Sequence, residues 1–149
     1  MPFVDISPDD PAWGAIQRVG VTGILKGVGK SEGWENKMYF YPDSLSTQED
    51  IDRLSIYFSI SMDKLYFSNG SEKIYCNMVE NFIILDKKEW NRNSITFEEA
   101  MKRKMNKIWI DEFKREYHPK DFIARRDLAV LIEKYMKKIF DLPVNLNGE

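Results

Sequence analysis

The part of the chain richest in β-forming residues lies between residues 54 and 86, and it constrains the fold most strongly. Within it Ile56, Phe58 and Ile60 alternate with Tyr57 and serines, the period of a strand with one buried face. The dipeptide Asn69-Gly70 accepts the positive φ angles of a tight hairpin turn. The pattern predicts an antiparallel meander with strands near residues 55–61, 64–69, 71–78 and 81–86.

Helical periodicity dominates the C-terminal third. Thr96 and Glu99 have the spacing of a capping box, and apolar residues then recur every three to five positions over residues 97–117. Proline interrupts this helix, and a second helix with a broader apolar stripe is expected over residues 119–140. The sequence therefore predicts one α+β domain over residues 1–149. Its sheet is an antiparallel meander, two C-terminal helices pack on one face, and a short N-terminal helix is capped by Ser7.

A further pair of extended segments precedes the meander. They span residues 21–28 and 34–41, with a flexible hairpin loop over residues 29–33 between them. Alternation places Trp34, Met38 and Phe40 on one face of the second segment. A short helix over residues 47–54 should follow, because Ser46 and Glu49 also have capping-box spacing.

The charge of the chain is unevenly distributed. The formal net charge is −2, with ten basic and fourteen acidic residues over 1–95 and twelve basic and ten acidic residues over 96–149. An acidic N-terminal part suits a basic partner, although a solvated surface gives the same sum. Aromatic residues make up 13% of the chain, which suits a dense core, with or without a recognition surface.

The residues that could serve nucleophilic or cofactor chemistry either occur only once in the chain or lack the spacing that the chemistry requires. Gly29-Lys30-Ser31 resembles the end of a phosphate-binding loop. That motif requires a glycine five positions earlier, where this chain has Ile24, and it requires a helix to follow, where this sequence predicts a strand. Cys76 and His118 are the only cysteine and the only histidine. Cys76 is expected to be a buried, inert thiol. His118, at a helix break before proline, is expected to be a helix cap or a surface residue. We therefore expect no cofactor, no metal site and no enzyme activity.

Two other functions remain open, a small hydrolase and a nucleic-acid-associated accessory protein. Carboxylates occur in close groups that a metal-dependent or acid–base hydrolase could use; they are Asp9, Asp10, Glu49, Asp50, Asp52, Glu98, Glu99, Asp111 and Glu112. Basic residues surround Trp90 and continue along the first C-terminal helix, an arrangement that could grip single-stranded nucleic acid. They are Lys87, Lys88, Arg92, Lys102, Arg103, Lys104 and Lys107.

The hairpin before the meander carries the pattern of a protein-binding surface. Tyrosine and tryptophan stand there among acids, which is a composition suited to a basic protein partner. The candidate partner-binding residues are Glu32, Trp34, Glu35, Tyr39, Tyr41, Asp43, Glu49, Asp50 and Asp52.

In general character the chain resembles bacterial immunity proteins, which are small, often acidic domains that neutralise toxins. The likeness is one of type and transfers no functional residue. It implies a toxin inhibitor that occludes a basic toxin, such as a nuclease. The absence of a signal-like or long apolar segment leads us to expect a cytoplasmic protein that is not bound to a membrane.

Overall fold

The computed structural model describes residues 3–58, 72–85 and 96–136. Together they form an α+β structure. Two strands, β1 (Val28–Glu32) and β2 (Glu35–Tyr39), make an antiparallel two-stranded sheet. The helices are α1 (Trp13–Thr22), α2 (Gln48–Tyr57), α3 (Phe97–Ile108) and α4 (Arg125–Tyr135), with a 3₁₀ helix over Cys76–Phe82 and a π-helical segment over Trp109–Phe113.

The prediction of a strand at residues 55–61 is wrong in its described part, because Ser55 to Tyr57 belong to α2. A capping box between Thr47 and Asp50 starts this helix, one residue later than the predicted Ser46 and Glu49 pair. Ile51, Leu54 and Phe58 are then buried at helical spacing, while the side chain of Ile56 is 64% exposed. Helical periodicity and a good cap therefore override the local β propensity.

The rest of the predicted meander also differs from the structure. The 3₁₀ helix Cys76–Phe82 replaces the end of the predicted strand at residues 71–78 and the start of the one at residues 81–86. Of the other described residues there, Lys73, Tyr75 and Ile83 form only isolated bridges. The predicted strand at residues 64–69 and its Asn69-Gly70 turn lie outside the described residues.

Three short extended segments, around residues 46, 74 and 123, contact one another and hold distant parts of the chain together, the role predicted for the meander. Each forms isolated antiparallel bridges with both of the others: Leu45 with Ala124, Thr47 with Lys73, and Tyr75 with Phe122. The Ser46 N–H donates to the Ile123 carbonyl at 2.7 Å, and the Ile74 N–H donates to the Ser46 carbonyl at 3.2 Å. These hydrogen bonds and bridges join parts of the chain that are distant in the sequence.

The predicted N-terminal helix begins later than Ser7. The Ser7 hydroxyl instead accepts a hydrogen bond from the Asp9 N–H, and α1 starts at Trp13. Ile16 and Val19 are buried as the helical spacing predicts. The α1 helix packs against α4, and Arg18 makes two hydrogen bonds to Glu133 at 2.8 and 2.6 Å across that contact.

Both C-terminal helices are shorter than predicted where they are described. Thr96 caps α3 as expected, but the helix changes to π geometry at Trp109 and ends at Lys114, whose φ is 58°. Residues 119–124 are not helical, and α4 starts at Arg125. Residues 137–140 lie outside the described part. Within that part, α4 packs on α1 rather than on a meander.

Candidate protein-binding surface

The hairpin formed by β1 and β2 is the most exposed element among the described residues that the sequence singled out. A hairpin was predicted here, but the prediction of its first strand at residues 21–28 is wrong. Val21 and Thr22 belong to α1, only Val28 of that segment lies in β1, and residues 29–32 continue β1 instead of forming a loop. Glu32 pairs with Glu35, so Gly33 and Trp34 alone form the turn. Gly33 has a φ of 63°, and a glycine with positive φ at the first position is typical of a type II′ hairpin turn.

Trp34 lies at the tip of this hairpin with its side chain fully exposed, at 103% of the reference area. The expectation that Trp34 shares a face with Met38 and Phe40 is wrong, because the turn removes it from the strand. Phe40 is fully buried, and Met38 packs against the core. The tryptophan therefore offers its whole indole surface to solvent.

The solvent-facing side of the hairpin carries a network of charges and tyrosines. The Tyr39 hydroxyl donates to a carboxylate oxygen of Glu32, and Lys37 Nζ lies 3.4 Å from Glu32 Oε1. These contacts, with the Tyr39 hydrogen bond the largest, lower the pKa of Glu32. Lys30 Nζ lies 5.3 and 5.4 Å from the ring centres of Tyr39 and Tyr41, and a hydrogen bond with Tyr41 raises the pKa of Lys30. The two tyrosine rings stack, with centroids 5.8 Å apart.

Glu49 and Asp43 extend the exposed surface beyond the strands. Glu49 lines a cleft of about 340 Å³ together with Val28 and Tyr41, which places it beside the hairpin. Asp43 is exposed and pairs with Arg126 at 2.9 Å. Among the described residues, neither Glu35 nor Glu49 makes an ion pair, so both carboxylates are available to a partner.

Asp50 and Asp52 were predicted to belong to this surface, but both are buried. Asp50 is 2% exposed, accepts a hydrogen bond from the Thr47 N–H, and pairs with Arg125 at 2.7 Å. Asp52 is 6% exposed and accepts a hydrogen bond from the Gln48 side chain. Their carboxylates satisfy groups inside the protein, and they cannot contact a partner without breaking those bonds.

The seven remaining residues define what we call the hairpin surface. They are Glu32, Trp34, Glu35, Tyr39, Tyr41, Asp43 and Glu49. Sequence reasoning missed the contribution of Lys30 and Lys37, which lie opposite each other in the register and balance part of the acidic charge. The signal for them was available, since the same alternation that placed Glu35 and Tyr39 on one face also places Lys37 there.

Gly29-Lys30-Ser31 lies within β1. A turn and β2 follow it, so no helix N-terminus is present at this motif to receive a phosphate. The motif was predicted to lie in an exposed hairpin loop; it lies in the hairpin, but in a strand.

The lone cysteine and histidine do not resemble a catalytic pair. The Cys76 thiol is 1% exposed and donates to the Phe122 carbonyl at 3.6 Å. Burial, reinforced by the Asp121 carboxylate, raises the pKa of Cys76 to about 12, so the thiol stays protonated at neutral pH. The His118 side chain is 61% exposed, and its Nε2 lies 3.9 Å from a Glu116 carboxylate oxygen.

Several of the candidate hydrolase carboxylates pair with basic side chains. Asp10 contacts Arg126, Glu99 contacts Arg103, Asp111 contacts Lys107, and Glu112 contacts Lys134, at distances of 2.5, 3.5, 2.9 and 3.0 Å. Over residues 3–58, 72–85 and 96–136, no three His, Cys, Asp or Glu side chains converge as a metal site would require. These pairs give Asp10, Glu99, Asp111 and Glu112 a structural role.

The basic region proposed for nucleic acid divides into two parts. Lys87, Lys88, Trp90 and Arg92 lie outside the described residues. On α3, Arg103 and Lys107 each pair with an acid on the same helix at i,i+4 spacing, which is typical of a solvated helix face.

Comparison with known proteins finds no matching protein-family model, no matching curated protein and no matching solved structure. None of the helices in the described part of the chain has the length and apolar character needed to cross a lipid bilayer.

Proposed function

We propose that this chain is a protein-binding inhibitor of the immunity-protein type, which occludes a basic toxin such as a nuclease through the hairpin surface. The observation that carries the proposal is the full exposure of Trp34 at the hairpin tip. Tryptophan is among the residues most enriched at the energetic centres of protein interfaces. Its indole gains free energy when a partner removes it from water.

The charges around Trp34 support a basic partner. Glu35 is adjacent to the tip, and Glu49 lies across the cleft from the strands. Neither is neutralised by an ion pair in the described residues, whereas Glu32 shares its charge with Lys37. Exposed carboxylates around an apolar anchor would speed the encounter with a basic surface and fix its orientation. In this proposal the protein acts in the cytoplasm, independently of membranes.

The test compares two alanine variants as immobilised baits. Trp34→Ala removes the proposed anchor, and Ile56→Ala removes another exposed apolar side chain, on α2, as the matched control. Captured proteins from the cytosol of the cells that encode the chain are identified, and the activity of the most enriched basic protein is titrated with each variant. Loss of an interface anchor of this kind costs about 2 kcal/mol or more, so Trp34→Ala should inhibit at least about 30-fold more weakly.

The wild-type chain and Ile56→Ala should inhibit the captured protein at one-to-one stoichiometry. Added salt should weaken the complex, because exposed charges contribute to it. Equal inhibition by Trp34→Ala and the wild-type chain would reject the hairpin surface. Capture of a basic protein whose activity is unchanged by a stoichiometric amount of the chain would reject the inhibitor function.

A further inference from the structure

The outer edge of β1 presents backbone groups that its partner strand does not use. In an antiparallel pair, hydrogen-bonded and non-hydrogen-bonded residue pairs alternate. Glu32 and Glu35 close a two-residue turn and form a hydrogen-bonded pair, so the pairs of Lys30 with Lys37 and Val28 with Tyr39 are hydrogen-bonded as well. It follows that the N–H and C=O groups of Gly29 and Ser31 point away from β2.

A contact on the other side of the sheet supports this assignment. Met38 lies opposite Gly29, and its carbonyl accepts a hydrogen bond from the Val4 N–H at 2.9 Å on the outer side of β2. Gly29 and Met38 therefore form a non-hydrogen-bonded pair, in which the backbone N–H and C=O groups of both residues point away from the partner strand. The N-terminal residues Phe3 and Val4 cover the β2 edge, whereas all five residues of β1 are exposed.

The charges on the hairpin form two rows that violate a general rule of strand pairing. Lys30 lies directly opposite Lys37, and Glu32 lies directly opposite Glu35. Like charges in such positions are destabilising. The diagonal contact between Lys37 and Glu32, at 3.4 Å, offsets this only in part. Each row therefore ends at the β1 edge with an excess of one sign.

We propose that β1 pairs with β1 of a second copy of this chain, antiparallel and centred on Ser31. The two Ser31 residues then exchange backbone hydrogen bonds. Lys30 of each chain lies opposite Glu32 of the other, so each two-lysine row continues into a two-glutamate row. The result is a four-stranded sheet across a two-fold axis, an isologous contact.

The same charges select this register over its neighbours. Centring the pair on Lys30 sets that lysine against its own copy, and centring it on Gly29 sets Lys30 against Val28. Only the Ser31-centred arrangement matches both rows. A charged, short edge strand normally deters strand addition, but here the lysine and glutamate are complementary to their own sequence run antiparallel. The inference goes beyond the proposed function, because it uses the backbone edge of β1. Of the hairpin surface it engages Glu32, which pairs with Lys30 of the second copy, and it sets Trp34 opposite Val28 of that copy.

Charge reversal tests the register directly. Lys30→Glu places two glutamates opposite two glutamates across the interface, and Glu32→Lys places lysines opposite lysines. Each variant alone should self-associate at least about tenfold more weakly than the wild-type chain. Mixed together, they should form a heterodimer, because every cross-strand pair is again of opposite sign. The double variant should recover self-association.

Sedimentation velocity over micromolar to millimolar concentrations, at low and high salt, measures these states for the full 149-residue chain. Ser31→Pro adds a test of the backbone bonds, since it removes an N–H that faces away from β2 and leaves the hairpin ladder intact; it should be monomeric with an unchanged circular dichroism spectrum. A wild-type chain that remains monomeric throughout would overturn the proposal. So would single charge variants that associate as tightly as the wild-type chain, or that fail to associate when mixed.

Discussion

Arg125 contacts three parts of the chain that are distant from it in the sequence. Its guanidinium donates hydrogen bonds to the carbonyls of Phe40 and Lys26 and to Asp50, at 2.9, 2.6 and 2.7 Å, and it stacks over the Phe40 ring at 4.5 Å. The side chain is 12% exposed, and that of Asp50 is 3% exposed. A planar guanidinium can satisfy all of these groups at once, as a lysine could not.

Arg125→Met should therefore destabilise the protein strongly. The variant leaves the Asp50 carboxylate buried without its counter-ion, a change that costs about 3–5 kcal/mol. Urea denaturation measures the loss. Arg103→Met is the matched control, because the side chains of Arg103 and Glu99 are 63% and 49% exposed, and an exposed i,i+4 pair contributes only about 0.3–0.5 kcal/mol. Similar losses for the two variants would contradict a central role for Arg125.

The same residue explains why the candidate site was only partly predictable. Glu35 and Tyr39 lie on the same strand, β2, so local alternation placed them together correctly. The burial of Asp50 depends on Arg125, which lies 75 residues away in the sequence. No spacing rule connects the two residues, and Asp50 was therefore predicted to be an exposed acid.

At the scale of elements, local signals were reliable where a helix terminus or a turn decided the outcome. The α3 cap at Thr96 is confirmed, since it depends on residues three positions apart. A hairpin forms where one was predicted, but its first strand is Val28–Glu32 rather than residues 21–28. The meander prediction is wrong in its described part, where extended structure is limited to isolated bridges between the short segments near residues 46, 74 and 123. Such short segments have no periodicity to detect, and their partners are distant in the chain.

The cap of α3 makes a measurable prediction. The Thr96 hydroxyl accepts a hydrogen bond from the Glu99 N–H at 3.1 Å, while Met101, Met105 and Ile108 bury the inner face of the helix. Thr96→Ala should lower the free energy of unfolding by about 1 kcal/mol. In the control Thr22→Ala, the lost hydroxyl donates only to the Val19 carbonyl within α1, and the change should stay within about 0.5 kcal/mol. Thermal or urea unfolding of both variants would show whether the cap has this effect.

At the scale of the whole molecule, Arg126 joins the N-terminal segment and the loop after β2 to α4. It contacts Asp10 at 2.5 Å and Asp43 at 2.9 Å. Together with the Arg18–Glu133 pair, these contacts fix the N-terminal third of the chain to its C-terminal helix. The contact between these parts of the chain is electrostatic as well as apolar, so the stability that it contributes should depend on pH.

Asp10 determines the direction of that dependence. Partial burial opposes ionisation, but hydrogen bonds from Arg126 and from the Ala12 N–H, together with the charge of Arg126, bring the pKa of Asp10 below its ordinary value. A carboxyl group whose pKa is lowered by folding stabilises the protein fully above its unfolded-state pKa of about 3.9, and this contribution is lost as the pH falls through the lower folded value. Asp10→Asn should therefore be less stable than the wild-type chain at pH 7, by about 1 kcal/mol.

The difference between the two proteins should shrink once the pH falls below about 4, because Asp10 itself becomes neutral in the wild-type chain. Urea denaturation at several pH values measures it. Asp9→Asn removes the same charge at the neighbouring exposed position, where the described structure contains no ion pair, and separates the effect of the Arg126 contact from that of net charge. A destabilisation by Asp10→Asn that persists undiminished to about pH 2 would mean that the Asp10 side chain acts through packing rather than through its charge.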